Sequence, residues 1–164
     1  QFRKSGFVDR IRHIFAKNGV SPRTFELEIT ESALMQPSPD TEHQFATLRA
    51  MGLGLALDDF GTGYSSLSYL KRLPLTRLKI DRSFVQDLPG DPEDAAIASA
   101  TLSIARDLGL EVVAEGVETE AQRDFLLTRQ CHIMQGFLLG RPMPAAGITG
   151  LLQEGAGHGV VTRV

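Results

Sequence analysis

LDDFGTGYSS, residues 57–66, is the stretch on which the fold turns. An apolar segment, Leu53–Leu57, runs into two adjacent carboxylates, Asp58 and Asp59, and then into a loop carrying Gly61 and Gly63. A divalent-metal site at a strand end requires this arrangement of hard oxygen donors beside a chain reversal. Taken singly, an Asp at a strand end is more often a helix cap or a solvated group. Here, however, four other short apolar runs close in the same way: Glu28 in LEITES (27–32), Lys79 in LKIDRSF (78–84), Glu115 in VVAEGVE (112–118) and Gln135 in MQGF (134–137). Together they form a ring of polar groups at successive strand ends.

Working outward, strands alternate with helices. Phe7, Val8, Ile11, Ile14 and Phe15 recur at helical spacing before the Asn18-Gly19 stop. A strand is expected over 25–30, a helix from about Asp40 through Phe45, Leu48 and Met51, and a strand over 53–59. Ser65–Leu73 is expected to be helical up to Pro74, with a short strand at Arg77–Ile80. Asp91 as N-cap and Pro92 at the first position open a helix over 92–108, closed by Gly109. A strand at 111–115, a capping box Thr119-x-x-Gln122 opening a helix with Phe125 and Leu126, and a strand near 132–135 complete the series.

Such alternation predicts parallel pairing through right-handed crossovers, in an open doubly wound sheet or in a (β/α)₈ barrel. Side-chain parity favours the barrel. Glu26, Glu28 and Thr30 share one face against Phe25, Leu27 and Ile29, and Gly54, Ala56 and Asp58 oppose Leu53, Leu55 and Leu57. A barrel wall with greasy outer helices and reactive groups at its C-terminal mouth has this pattern.

Composition narrows the function classes. The chain has 164 residues, 42% of them hydrophobic, which fits one domain with a sizeable core. A net charge of −3 argues against a sequence-blind nucleic-acid binder, and no DNA partner is expected. Cys131 is the only cysteine, so intrachain disulfides are impossible and a reducing, cytoplasmic setting is expected. Cys131 and His132 are read as structural, and His13, His43, His132 and His158 are too scattered for a zinc motif. Ser66 stands where the third glycine of a dinucleotide fingerprint would follow Gly61 and Gly63.

ELEITES (26–32), DDFGTGYSSLSYL (58–70), LKIDRSFV (78–85), VVAEGVET (112–119) and QGFLLGRPMP (135–144) stand in the order and near the spacings of a known family. On these segments the chain resembles the EAL domains, which hydrolyse the bacterial second messenger cyclic di-GMP. The resemblance implies an α/β fold, a (β/α)₈ TIM-like barrel here lacking its first strands, since the Glu-Ala-Leu motif does not occur in these residues. It assigns 1–144 to a partial EAL domain and 145–164 to a C-terminal helix and Gly-rich tail. Gln1-Phe2 matches the segment just after a metal-binding Asn of the family, so that Asn, the named Glu and a substrate-gripping Arg are expected upstream in a longer parent.

Residue by residue, the resemblance implies that Glu28, Asp58, Asp59 and Glu115 bind two Mg2+ or Mn2+ ions, with Asp58 as the bridge. It puts Lys79, with Glu115, at the reacting water. Asp81, Glu118 and Gln135 form the substrate-facing wall, and Glu31 anchors the 60–66 loop. The implied activity is hydrolysis of cyclic di-GMP to linear pGpG in the intact parent, with this segment alone inactive and prone to associate through open sheet edges. The alternative is a binding or protein-interaction module that does not cleave. Implied partners are cyclic di-GMP, a second copy in a homodimer and an upstream sensory or diguanylate cyclase-like domain, with any membrane anchor in absent segments.

Overall fold

A computed structural model describes residues 6–34, 39–63 and 67–155. The expectations at Gln1 and Phe2, at Tyr64–Ser66 of the glycine loop, and in the Gly-rich end with His158 lie outside the described residues. The elements are α1 (Phe7–Asn18), β1 (Glu26–Thr30), α2 (Pro39–Ala50), β2 (Gly54–Phe60), α3 (Leu67–Leu70), β3 (Arg77–Ile80), α4 (Pro92–Asp107), β4 (Glu111–Glu115), α5 (Glu120–Thr128), β5 (Ile133–Gln135) and α6 (Ala145–Gly155).

Local chemistry sets the helix ends. Asp91 accepts from the N–H groups of Glu93 (2.7 Å) and Asp94 (3.0 Å), with Pro92 opening α4. Thr119 and Gln122 form the capping box of α5, Gln122 Oε1 accepting from Thr119 N at 2.9 Å and Thr119 Oγ1 from Gln122 N at 3.2 Å. Gly19, in the left-handed region, closes α1 through its N–H to the Phe15 carbonyl. The segment expected to be helical up to Pro74 differs: among its described residues only Leu67–Leu70 are α-helical, and Lys71 and Arg72 turn. Pro74 disfavours helical backbone at Leu73, and Leu73 and Leu75 are buried there.

All the described strands pair in parallel in the order β1-β2-β3-β4-β5. A doubly wound sheet reverses its strand order at a switch point, whereas this order runs in one sense without reversal, as in the wall of a barrel. The alternation separates two faces. Leu55, Leu57, Leu78 and Ile80 point outward and are fully buried with Phe45 and Leu48 of α2, Ala98, Leu102 and Ala105 of α4, and Leu126 of α5. Each such aliphatic side chain contributes about 1.5–3 kcal/mol of burial. The opposite face carries the ionisable groups. No described helix is long and apolar enough to cross a membrane.

The end of β5 is stitched to the turn after β4: Val117 N donates to Gln135 O (3.0 Å) and Leu138 N to Val117 O (3.1 Å). Gly136 makes this approach possible, since a Cβ there would lie 2.1 Å from the Val117 carbonyl oxygen and 2.3 Å from its nitrogen. Backbone cannot yield as a side chain does. Gly136→Ala is therefore expected to cost about 3 kcal/mol or more, a melting loss of roughly 6–12 °C for a domain of this size. Thermal unfolding followed by circular dichroism checks this, and a melting point within about 2 °C of the unsubstituted chain would contradict it.

Candidate active site at the strand C-termini

Lys79, on β3, is the centre of the inner face. Its Nζ lies 2.9 Å from Glu28 Oε1 of β1, 3.0 Å from Asp58 Oδ1 of β2 and 2.7 Å from Glu115 Oε1 of β4. The lysine is only 6% exposed, so its ammonium donors go to three carboxylates rather than to water. Burial alone would lower its pKa, but hydrogen bonds to Glu115, Glu28 and Asp58 outweigh that and raise it above the ordinary lysine value. Two residues earlier on the same face, towards the N-terminal ends of the strands and more exposed, Arg77 repeats the theme, Nη1 at 2.8 Å from Glu26 Oε1 and Nη2 at 2.7 Å from Glu111 Oε2.

Adjacent residues of a regular strand face opposite sides, so Asp58 and Asp59 need a backbone irregularity to share the mouth. β2 supplies it. Leu57 pairs with Leu78 and Phe60 with Ile80, so one extra residue of β2 is accommodated as a bulge. Asp59 sits at φ 57° within it, and its N–H donates to Asp58 Oδ1 at 3.1 Å. Leu57 and Phe60 can then both pack in the outer core, leaving both carboxylates for the mouth. Asp59 has its pKa raised by burial first, then by Asp58 and Asp81, against the lowering influence of Lys79. Glu115 is raised as well, chiefly by burial, although Lys79 opposes this.

Four carboxylates thus gather about one ammonium, and the proton affinity of Asp59 and Glu115 is raised by burial first, with neighbouring carboxylates adding to it. Hard oxygen donors in excess of cation charge suit a divalent ion, so Glu28, Asp58, Asp59 and Glu115 fit such a group in donor chemistry. Among the described residues no three acidic, His or Cys side chains form a ready metal cluster. Three of these four are instead turned onto Lys79.

The other expected residues lie around this ring. Glu31 is buried, with Oε2 accepting from Gly61 N at 3.0 Å and Oε1 without a hydrogen-bond partner in the described structure. A Cβ on Gly63 would meet that Oε1 at 3.0 Å. Asp81 lies just past β3 and caps the turn Arg82–Phe84, its Oδ1 accepting from Ser83 N at 3.0 Å. Gln135 is exposed at the end of β5, in register with Glu115. Glu118 does not join the ring: its Oε1 pairs with Arg82 Nη2 at 3.0 Å. Cys131 is buried, with burial pushing its thiol up to about 11, as suits a structural residue. Sequence reasoning missed the Arg77 layer and Arg82. The first had a signal, since Arg77 and Lys79 are two apart on one strand; the second had none in local pattern.

A family model described as the EAL domain matches residues 1–142. The chain is 52% identical over 145 residues to MucR of Pseudomonas aeruginosa, a bifunctional diguanylate cyclase/cyclic di-GMP phosphodiesterase, covering 88% of this chain and 21% of MucR. It spans about a fifth of the length of the curated relatives it matches. Among solved structures, the MucR phosphodiesterase in complex with c-di-GMP has a TM-score of 0.85 at 50% identity, covering 90% of this chain and 60% of that one. The EAL domain of Mycobacterium smegmatis DcpA gives 0.87 at 43%, covering 93% and 69%. BlrP1 of Klebsiella pneumoniae, solved with manganese and cyclic di-GMP, gives 0.77 at 33%, covering 86% and 36%.

The charge excess makes a stability prediction. A carboxylate whose folded-state pKa is raised opposes folding above that pKa, and the opposition fades as pH falls to the ordinary carboxylate value. Asp59→Asn is therefore expected to raise the melting temperature at neutral pH in the presence of a chelator. The gain should shrink towards zero as pH is lowered below about 4. Thermal unfolding across that range is the check. A gain that persists unchanged at low pH would assign it to the left-handed backbone, which Asn tolerates well, and not to charge.

Proposed function

The chain belongs to the EAL domain family, and from that premise we propose that the protein carrying it hydrolyses one phosphodiester bond of cyclic di-GMP to give linear pGpG. The single observation carrying this reading is the buried ammonium of Lys79 ringed by Glu28, Asp58 and Glu115, with Asp59 alongside, at the strand ends. In support, MucR carries the phosphodiesterase name and its structure was solved with c-di-GMP.

Glu28, Asp58, Asp59 and Glu115 would hold Mg2+ or Mn2+, a reading supported by the BlrP1 structures, solved with manganese or calcium beside cyclic di-GMP. When bound, such ions neutralise phosphate charge and lower the pKa of a coordinated water. The chain's own groups do the rest. Lys79, with its raised pKa, stays an ammonium at neutral pH and so serves as a hydrogen-bond donor and fixed charge, not as a general base. It also keeps Glu28, Asp58 and Glu115 in a common orientation. Glu115, held by Lys79 at 2.7 Å, would orient the attacking water. Glu31 fixes the Gly61 loop over the mouth through its hydrogen bond, and Gln135 and Asp81 border the space a substrate would enter. The wider reading is of a homodimer with an upstream sensory or cyclase-like domain acting in the cytoplasm, on a substrate drawn from solution.

The test is hydrolysis of cyclic di-GMP by the complete protein with Mg2+ or Mn2+, followed by chromatography of the product. Linear pGpG should appear with either ion and vanish with chelator. Asp58→Asn should lower turnover by at least about 100-fold with the fold retained, because a neutral amide both weakens ion binding and leaves Lys79 with one charged partner fewer. Binding of cyclic di-GMP without cleavage by the unsubstituted protein would replace the enzyme with a sensor, and activity of Asp58→Asn within about threefold would reject the role given to that residue.

A further inference from the structure

Arg82 follows Asp81 at the mouth and does something its position in the sequence does not announce. Its side chain runs across Gly116, where an added Cβ would lie 2.3 Å from Arg82 Cγ and 2.9 Å from its Cβ. Gly116 also sits at φ 73°, which favours glycine, so that position is closed to a side chain on two counts. Beyond the glycine, Arg82 Nη2 reaches Glu118 Oε1 at 3.0 Å. The contact joins the segment after β3 to the segment after β4, two of the strands whose ends carry the Lys79 ring.

The backbone around Glu118 does not need Arg82. Val117 N is held by Gln135 O at 3.0 Å, and the N–H groups of Glu118 and Thr119 are held by Gln122 Oε1 at 2.7 and 2.9 Å. Gln122 is itself buried and donates through Nε2 to Gln86 O at 2.8 Å. An ion pair with both partners this exposed adds little to stability. What Arg82 supplies is direction for one carboxylate. Glu115 turns onto Lys79 while Glu118, three residues on, is held by a separate cation.

We propose that Arg82 is a positioning residue that fixes the direction of the Glu118 carboxylate at the rim of the mouth. Gly116 is the gap through which it reaches. This rests on the phosphodiesterase reading for its kinetic consequence, since it is that reading which puts Glu118 in the wall that meets the substrate. Its geometric content stands apart from that reading.

Two arms test it in the complete protein. Crystal structures of Arg82→Ala and Arg82→Lys should show the Glu118 side chain leaving its place in the first and returning to it in the second, with the Val117–Gln135 and Gln122 bonds intact in both. Kinetics of cyclic di-GMP hydrolysis with manganese should show kcat reduced about 10-fold or more in Arg82→Ala, with KM within about threefold and most of the loss recovered by Arg82→Lys. The double variant Arg82→Ala/Glu118→Gln should be no slower than Glu118→Gln alone, because one residue acts through the other. Losses that multiply, an Arg82→Ala enzyme within about twofold of the unsubstituted protein, or a Glu118 that keeps its place without Arg82 would each overturn the proposal. If the unsubstituted protein neither binds nor cleaves cyclic di-GMP, the phosphodiesterase reading fails and the crystal structures alone decide whether Arg82 positions Glu118.

Discussion

The inner face of this sheet depends on a buried ammonium shared by three carboxylates. Taking Lys79 out of water is costly, and the cost is offset only because Glu28, Asp58 and Glu115 approach it to 2.9, 3.0 and 2.7 Å from three different strands. The same interaction ties strand register to side-chain geometry. Leu78 pairs with Leu57 on one side and Val112 on the other. A one-residue slip would turn Lys79 into the outer core and Leu78 into the mouth. Hydrophobic packing outside and charge pairing inside therefore select the same register, which is why neither face needs to specify it alone.

Much of this was legible in the sequence, and the reasons differ by element. The strands at 77–80 and 111–115 and the caps at Asp91 and Thr119 could be read directly because period-two alternation and side-chain capping are local signals. The choice of a barrel over a doubly wound sheet was legible only through parity, since strand order is not local; the unreversed order β1-β2-β3-β4-β5 agrees with it. The helix expected up to Pro74 was overextended: its described α-helical residues end at Leu70, and Leu73, disfavoured in helical backbone by the following Pro74, is buried in the loop.

The Asp58-Asp59 pair marks the limit of pattern reading more sharply. Strict alternation would send Asp59 outward with Leu57, so bringing both acids to one mouth required an irregularity that the sequence does not state. The bulge and the left-handed Asp59 provide it. Asp is among the few residues that tolerate that backbone region, and the glycine that follows accommodates the turn. Arg82 was illegible for a different reason. Its partner lies 36 residues further along the chain, across a glycine whose importance appears only when the two segments are side by side.

Arg77 and Lys79 form two ion layers on the same strand. Both are cations two residues apart, and both pair with carboxylates from β1, across β2, and from the neighbouring β4. Arg77 forms one bond to each of two acids through its fork, and its Nε is buried without a partner in the described structure. Lys79 faces three partners, with Asp59 crowded in by Asp58 and Asp81 as a fourth acid held at raised pKa. The layer at the mouth is overloaded with negative charge, and the bulge that creates the overload brings in the fourth acid without disturbing Leu57 or Phe60 in the core. The two layers differ in degree: a cation meets two carboxylates at Arg77 and three at Lys79, with Asp59 beside them.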